Sequence, residues 1–419
     1  VSADCPADAV AELAGLHGVF SFPEKLLQRI WARGDFDHRG LRLRDGRALC
    51  LRRRGRWNRL AGPDFADAEI EVGEGAARQL FQGPIEVHLR AADWDAHGHA
   101  ADPAYDGVVL HVVLFPSMRE WTAGASGRRI PILELLPRLE RDLEAYAEEA
   151  AVEGIAGRPY SLLREQLAGI PPAVLRVELE RYAERRWLNK VRIAAERLGR
   201  LGWEQACHQA TLEVLGYRAN RLPMLAVAEC WPLAAWRAAE VTVEAAWDAP
   251  AEPWQSAGVR PANRPRLRLA QYAEWVAACP HWPERLAEIG AEWAVVEPVV
   301  CGMADLRRRR RELGIGLVRR ILSQGVCGGV LAGTRFDTWI CDAVLPLLAA
   351  RFGAGAPLAG SGWAARWRAW NPGDAPEELL RLAREFEVGG APEAPLAQGH
   401  LQGLLGWLAA VAARGGRGA

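Results

Sequence analysis

Imidazoles and carboxylates concentrate between Gly62 and Phe115. Four of the nine histidines, His88, His97, His99 and His111, fall there among Asp64, Glu86, Asp93, Asp95, Asp102 and Asp106. Two carboxylates held together repel, and they share a site only when a proton or a metal ion neutralises them. Mg²⁺ or Mn²⁺ takes oxygen ligands and keeps waters, one of which can become a nucleophile. Imidazoles orient or deprotonate such a water, or ligate a softer ion such as Zn²⁺. Residue types in this pattern fit a metal-dependent active site.

Three apolar runs must position these groups. Pro84–Arg90 alternates as a strand does, so Glu86, His88 and Arg90 share one face while Ile85, Val87 and Leu89 take the other. Asp64 follows Gly62-Pro63 and opens a strand over Phe65–Val72, where antiparallel pairing would set it beside Glu86. In this arrangement His88 orients or deprotonates a water and Arg90 receives an anionic group. The competing reading is the surface face of an exposed strand. Asp93–His99 forms a short helix or turn, where Trp94 could stack on a substrate. His97 and His99 serve there either as ligands and their supports or as caps of a turn. His111 lies inside the apolar strand Val108–Phe115 and reads as a satisfied core histidine.

Around this stretch, Phe22–Trp31 has helical spacing with Glu24 in its first turn. Asp45-Gly46 marks a hairpin between Leu41–Leu43 and Ala48–Arg52, and Ile130–Leu135 is a further strand. After Pro137 the pattern becomes helical, with helices expected over Pro172–Arg200, Trp203–Leu215, Leu222–Trp236, Leu267–Ala278 and Leu401–Ala412. The expected organisation is a leader (1–20), an α/β domain (21–136), a helical region (137–248), a Pro-rich loop (249–265), a second helical region (266–413) and a disordered tail (414–419).

Composition sets limits. Acidic and basic residues balance at 52 each in a 419-residue chain, so no global field draws in nucleic acid or an anionic membrane. Lys25 and Lys190 are the only lysines, which leaves little for a lysine-dependent mechanism. The eight cysteines form no Cys-x-x-Cys pair. Scattered in this way, they read as reduced thiols of a cytoplasmic protein. No apolar run reaches the roughly 18 residues that a bilayer span requires. No Walker A, Rossmann or Gly-x-Ser-x-Gly signature occurs. The basic run Arg307–Arg311 reads as a solvated helix face or a phosphate-tracking patch.

The segments GPDFADAEI, GPIEVHLRAADWDAHGHAADPAYDGVVLHVV, RRIPILEL, LGYRANRLPM and RPANRPRLRLAQYA resemble the bacterial proteins grouped as domain of unknown function 2851, over roughly residues 20–350. The N-terminal part is also similar to the PD-(D/E)XK nuclease core. That likeness rests on a helix with Glu24, a strand opening on Pro63-Asp64, a strand with Glu86-x-His88, a crossover and the strand Val108–Phe115. It implies an α+β fold with a mixed, restriction-endonuclease-like sheet followed by a mainly α-helical region.

By the same resemblance, Asp64 and Glu86 would bind Mg²⁺ or Mn²⁺, His88 would stand at the position usually held by lysine, and Glu24 would assist. Two features depart from the pattern: the histidine at 88, and a crossover of 17 residues between Arg90 and Val108. The expected activity is hydrolysis of DNA or RNA phosphodiesters by a metal-activated water. Arg90, Trp94, His97 and His99 would contact the substrate. Two alternatives stand beside it: a non-catalytic nucleic-acid or protein-binding module, and a Zn²⁺ hydrolase using His88, His97, His99 and His111.

Overall fold

In the computed structural model, alternating apolar and polar runs build a seven-stranded mixed sheet that precedes a helical region. The described residues are 22–415, apart from 59–60, 140–142, 156–157, 218–219, 251–253, 257–262, 295–305, 354–360 and 392. The expected leader, much of the Pro-rich loop and residues 416–419 of the expected tail lie outside them. The chain divides into two compact units, one up to Ala150 and one from Ala151.

The first unit opens with helix α1, Glu24–Arg33. Glu24 sits in its first turn, where the helix dipole favours an anion. Gly34 ends it in the left-handed conformation, its N–H directed at the carbonyls of Ile30 and Trp31. Leu26, Leu27, Ile30 and Trp31 are buried, each burial stabilising by about 1.5–3 kcal/mol.

The strands are β1 (Leu49–Arg53), β2 (Arg56–Trp57), β3 (Phe65–Val72), β4 (Gln79–His88), β5 (Leu110–Val113), β6 (Trp121–Ala123) and β7 (Arg129–Glu134). Their order across the sheet is β1-β3-β4-β5-β7-β6, with β2 pairing β3. β1, β3 and β4 are antiparallel neighbours, β4-β5 and β5-β7 are parallel, and β6 runs antiparallel to β7. The Asp45-Gly46 turn forms, but its first arm is reduced to a single bridge between Arg42 and Ala48. The partner that β1 takes is β3.

Two local features tune the sheet. β3 carries a bulge where its register against β4 shifts between Phe65 and Ala68. Asp67 there has φ 58°, so the buried positions Phe65 and Ala68 are three apart rather than two. β4 contains Gly83, where a Cβ would lie 2.6 Å from Val109 Cγ1 and 2.7 Å from the Gly107 carbonyl oxygen. Glycine there lets the chain entering β5 approach β4 closely.

Register then decides which side chains share a face. Paired residues point to the same side and every second residue returns to it. Glu86 pairs with His111, His111 with Ile132, and Thr122 with Ile130, so Glu86, His88, His111, Ile130, Ile132 and Thr122 all project from one face. The crossover from β4 to β5 folds over that face. It contains the short helix α2, Asp93–Ala96, and two 3-10 turns, His99–Ala101 and Pro103–Tyr105. Its Trp94 and Tyr105 pack with Val108 and Ile130.

The second unit is helical. Its longest run, Pro172–Leu215, breaks at Gly202 (φ 72°, ψ 174°), which separates the two helices the sequence suggests. Trp187, Trp275, Trp282, Trp339, Trp367 and Trp370 are fully buried within it. The basic run forms the helix Leu306–Glu312, and it is not a uniformly solvated face. Arg309 is buried, and Arg310 donates to the carbonyls of Ala369, Trp370 and Leu396. Among the described residues no helix is long and apolar enough to cross a membrane, and Cys50, Cys207, Cys230, Cys279, Cys327 and Cys341 are free thiols.

Candidate metal centre

Asp64 and Glu86 meet across the β3-β4 pair. With Phe65 opposite Ile85, the next antiparallel step brings Asp64 opposite Glu86, and the Asp64 N–H donates to Glu86 Oε2 at 2.9 Å. The Asp64 carboxylate accepts from the Val87 N–H at 3.1 Å and from Gln28 Nε2 at 2.8 Å. Gln28 is one turn beyond Glu24 on α1, so both face the sheet from the same side of the helix.

The other oxygen of Glu86 turns toward the imidazoles. Oε1 lies 3.5 Å from His88 Nε2 and 3.3 Å from His99 Nε2, and His88 Nε2 lies 3.1 Å from His97 Nδ1. His88, His97 and His99 each direct a ring nitrogen to a common region, these atoms falling within 4.8 Å of one another. Zinc–nitrogen bonds of about 2.0–2.1 Å in a tetrahedron separate ligand atoms by about 3.3–3.4 Å. The spacings here bracket that value, so the donor set fits one ion of this kind.

Charge in the site is suppressed by burial. The Glu86 carboxyl is pushed up to about 8 by burial, then by the neighbouring charges of Asp64 and Glu24. Asp64 is raised to about 6 by burial, against the opposing effect of its hydrogen bonds. Glu24 is raised by burial and by Asp64. Burial, then the adjacent rings, lowers His88 to about 2; burial also lowers His111 to about 3 and depresses His99. The Glu86 contacts with His88 and His99 are therefore contacts to neutral rings, not ion pairs. Neutral imidazoles facing crowded carboxylates present lone pairs that a cation would satisfy together.

A family described as "Protein of unknown function (DUF2851)" matches residues 24–247, more than half of the chain. The chain belongs to that family. No curated protein and no solved structure matches it. The DUF2851 match takes in every element from α1 to β7, and with them the whole candidate centre; it ends before RPANRPRLRLAQYA.

Within this DUF2851 chain the sequence candidates separate. Asp64, Glu86, His88, His97 and His99 come together, with Glu24 close enough to influence Asp64. Arg90 does not continue the Glu86–His88 face, because β4 ends at His88. Its guanidinium lies 5.8 Å from the centre of the Phe115 ring. Trp94 is fully buried, and its Nε1–H donates to the Ala123 carbonyl at 3.0 Å. Asp93, Asp95, Asp102 and Asp106 serve local structure. They accept from the Arg90 N–H, Arg119, the Ala104 N–H and the Ser126 N–H respectively.

His111 is buried as expected, but it joins the site, its Nε2 2.9 Å from His88 Nδ1 and its Nδ1 2.8 Å from Thr122 Oγ1. Gln28, Tyr105 and Thr122 escaped the sequence reading. Tyr105 stacks on His99 with ring centres 3.7 Å apart. Only Gln28 carried a signal, its four-residue spacing from Glu24; the other two are fixed by long-range pairing and by the fold of the crossover.

Proposed function

We propose that this DUF2851 protein is a metal-dependent hydrolase whose centre is built from His88, His97, His99 and Glu86, and that its substrates are nucleic-acid phosphodiesters. The observation that carries the metal assignment is the convergence of three imidazole nitrogens and Glu86 Oε1 at ligand-like spacing. An imidazole-rich set favours a borderline ion such as Zn²⁺ over Mg²⁺ or Mn²⁺, which prefer oxygen ligands. When bound, the ion supplies Lewis acidity and a water that ionises near neutral pH.

The chain's own groups supply the rest. Glu24 is partly exposed at the start of α1, placed to accept a proton and pass it to solvent. Asp64, with its carboxyl raised to about 6, is suited to proton transfer near neutral pH. The element order supports the phosphodiester substrate: α1 with Glu24, an antiparallel pair bearing Pro63-Asp64 and Glu86-x-His88, then a parallel strand after a crossover. The nuclease likeness itself rests on the sequence segments alone. The imidazoles equally suit a zinc hydrolase acting on another substrate class, and assays across a panel of substrates separate the two.

The test joins elemental analysis of purified protein to cleavage assays on single- and double-stranded DNA and RNA with Zn²⁺, Mn²⁺, Mg²⁺ or EDTA. The expected result is a stoichiometric metal and cleavage abolished by EDTA. Loss of activity by roughly 10²–10⁴-fold is expected for Asp64→Asn, a range typical of a removed acid–base group. Stoichiometric zinc without cleavage of any nucleic acid would overturn the substrate class. Failure to bind any divalent ion would overturn the centre itself.

A further inference from the structure

A ligand imidazole needs its second nitrogen fixed, because that hydrogen bond decides which nitrogen presents a lone pair and how the ring is turned. His88 is the fully buried member of the set, and its Nε2 is the nitrogen facing His97 and Glu86. Its Nδ1 has one partner, His111 Nε2, at 2.9 Å. His111 in turn directs Nδ1 to Thr122 Oγ1 at 2.8 Å. A neutral imidazole carries one N–H and one lone pair, so the state of any ring along this line dictates the next.

Two arrangements are self-consistent. In one, His88 Nδ1–H donates to His111 Nε2, and His111 Nδ1–H donates to the Thr122 hydroxyl oxygen, leaving a lone pair on His88 Nε2. In the other every hydrogen is reversed: the Thr122 hydroxyl donates to His111, His111 donates to His88, and His88 Nε2 carries the hydrogen. Only the first presents His88 Nε2 as a ligand.

We propose that His111 and Thr122 are positioning residues that hold His88 with Nδ1 protonated and Nε2 free to ligate. The inference rests on the metal-centre reading, and it extends the site from β4 to residues on two further strands, His111 on β5 and Thr122 on β6. The sheet itself enforces the line. Glu86 and His111 are paired neighbours on β4 and β5, and the register carries the same face on to Thr122. Trp94 confines the His88 ring from the side, at 89° to it with centres 6.4 Å apart.

The test measures Zn²⁺ affinity of the full chain by competition with a chromophoric chelator. It also measures ring ¹⁵N shifts of the zinc-loaded protein, which report the protonated nitrogen of His88 directly. Wild type is expected to show His88 protonated at Nδ1. His111→Leu removes the acceptor and should weaken zinc binding by about 10–100-fold, the range for lost supporting hydrogen bonds. His111→Gln, whose amide oxygen can accept from His88, should recover most of that loss. Thr122→Val keeps the shape of a buried side chain while removing the oxygen. It should weaken binding in the same direction as His111→Leu, and Thr122→Ser should not.

Unchanged affinity in folded Thr122→Val and His111→Leu would overturn this inference while leaving the centre intact. So would a wild-type His88 protonated at Nε2. Absence of zinc binding by wild type would remove the centre and the inference together.

Discussion

Both units bury histidines, and the partners of those histidines differ. In the helical unit His208 is fully buried, with Nε2 2.9 Å from the Trp231 carbonyl and Nδ1 2.5 Å from the Tyr272 hydroxyl. A carbonyl can only accept, so Nε2 carries the hydrogen and Nδ1 accepts from Tyr272. Each nitrogen then has the partner it needs, and nothing further is called for. In the sheet unit His88 meets imidazole nitrogens on both sides, and a third ring and a carboxyl crowd the same region. Burial alone does not separate a structural histidine from a ligand, since both rings are held well below the ordinary imidazole value by desolvation. The distinction lies in the partners: a carbonyl fixes the tautomer of His208, whereas the rings on either side of His88 admit either tautomer and crowd a third ring and a carboxyl beside it.

The sharpest way to break this contrast is to remove the completed histidine. His208→Leu removes the donor to the Trp231 carbonyl and the acceptor of the Tyr272 hydroxyl, at about 1–3 kcal/mol for each unsatisfied group. Denaturant unfolding should show that loss, while zinc affinity stays at the wild-type value. A variant that lost zinc in proportion to its stability would erase the distinction between the two units.

A second test uses pH, where the units should part above neutrality. The Glu86 carboxyl is raised to about 8, by burial first. A raised folded value contributes stability that is complete below the unfolded value and is lost as pH climbs through the folded one. Between pH 6.5 and 8 the metal-free sheet unit should therefore lose about 2 kcal/mol. His208 is lowered to about 4 by burial. Its contribution is complete above the unfolded imidazole value and disappears only as pH falls toward 4, so it is flat across that window. Hydrogen exchange, corrected for intrinsic rates, should show protection in Gln79–His88 falling between pH 6.5 and 8 without metal and recovering with Zn²⁺. Protection in the Trp203–Leu215 segment should hold. Equal losses in both segments would sink the assignment.

The smallest effect concerns the acids that serve structure only. Asp95 pairs with Arg119 at 2.5 Å, both side chains about half exposed, and such pairs stabilise by about 0–1 kcal/mol. Asp95→Ala should leave zinc binding unchanged and shift stability by no more than that. A large loss of metal would move Asp95 into the centre.

Legibility in the sequence followed the range of the interactions. A sheet followed by helices was readable because periods of two and of 3.6 residues are local. Asp64 beside Glu86 was readable as well, since Gly62-Pro63 fixes where β3 begins and antiparallel pairing does the rest. The β3 bulge was not, because Asp67 at φ 58° carries no glycine to announce it. Arg90 falls outside that face although the alternation extends to it, because the turn into α2, not the alternation of β4, sets where that strand stops. The apolar run around His111 predicts a core residue, and the ring is buried. Its contacts with His88 and Thr122 arise from β4-β5-β7-β6 register, which one-dimensional spacing does not encode. The meeting of His97 and His99 with Glu86 depends on the crossover doubling back over the sheet face.

That crossover has a kinetic consequence. His88 and His99 close a loop of few residues, so joining them costs little chain entropy. Trp94 and Tyr105 already fasten the segment from within, one to the Ala123 carbonyl and one against the His99 ring. An ion arriving here would find most of its ligands in place and would have little chain left to order. His97 is the exposed member of the trio, and its side chain is the one that can swing into solvent without disturbing the sheet. Were an ion held here as proposed, its entry and exit would require the release of that one surface imidazole alone, while the buried pair behind it kept the site's shape.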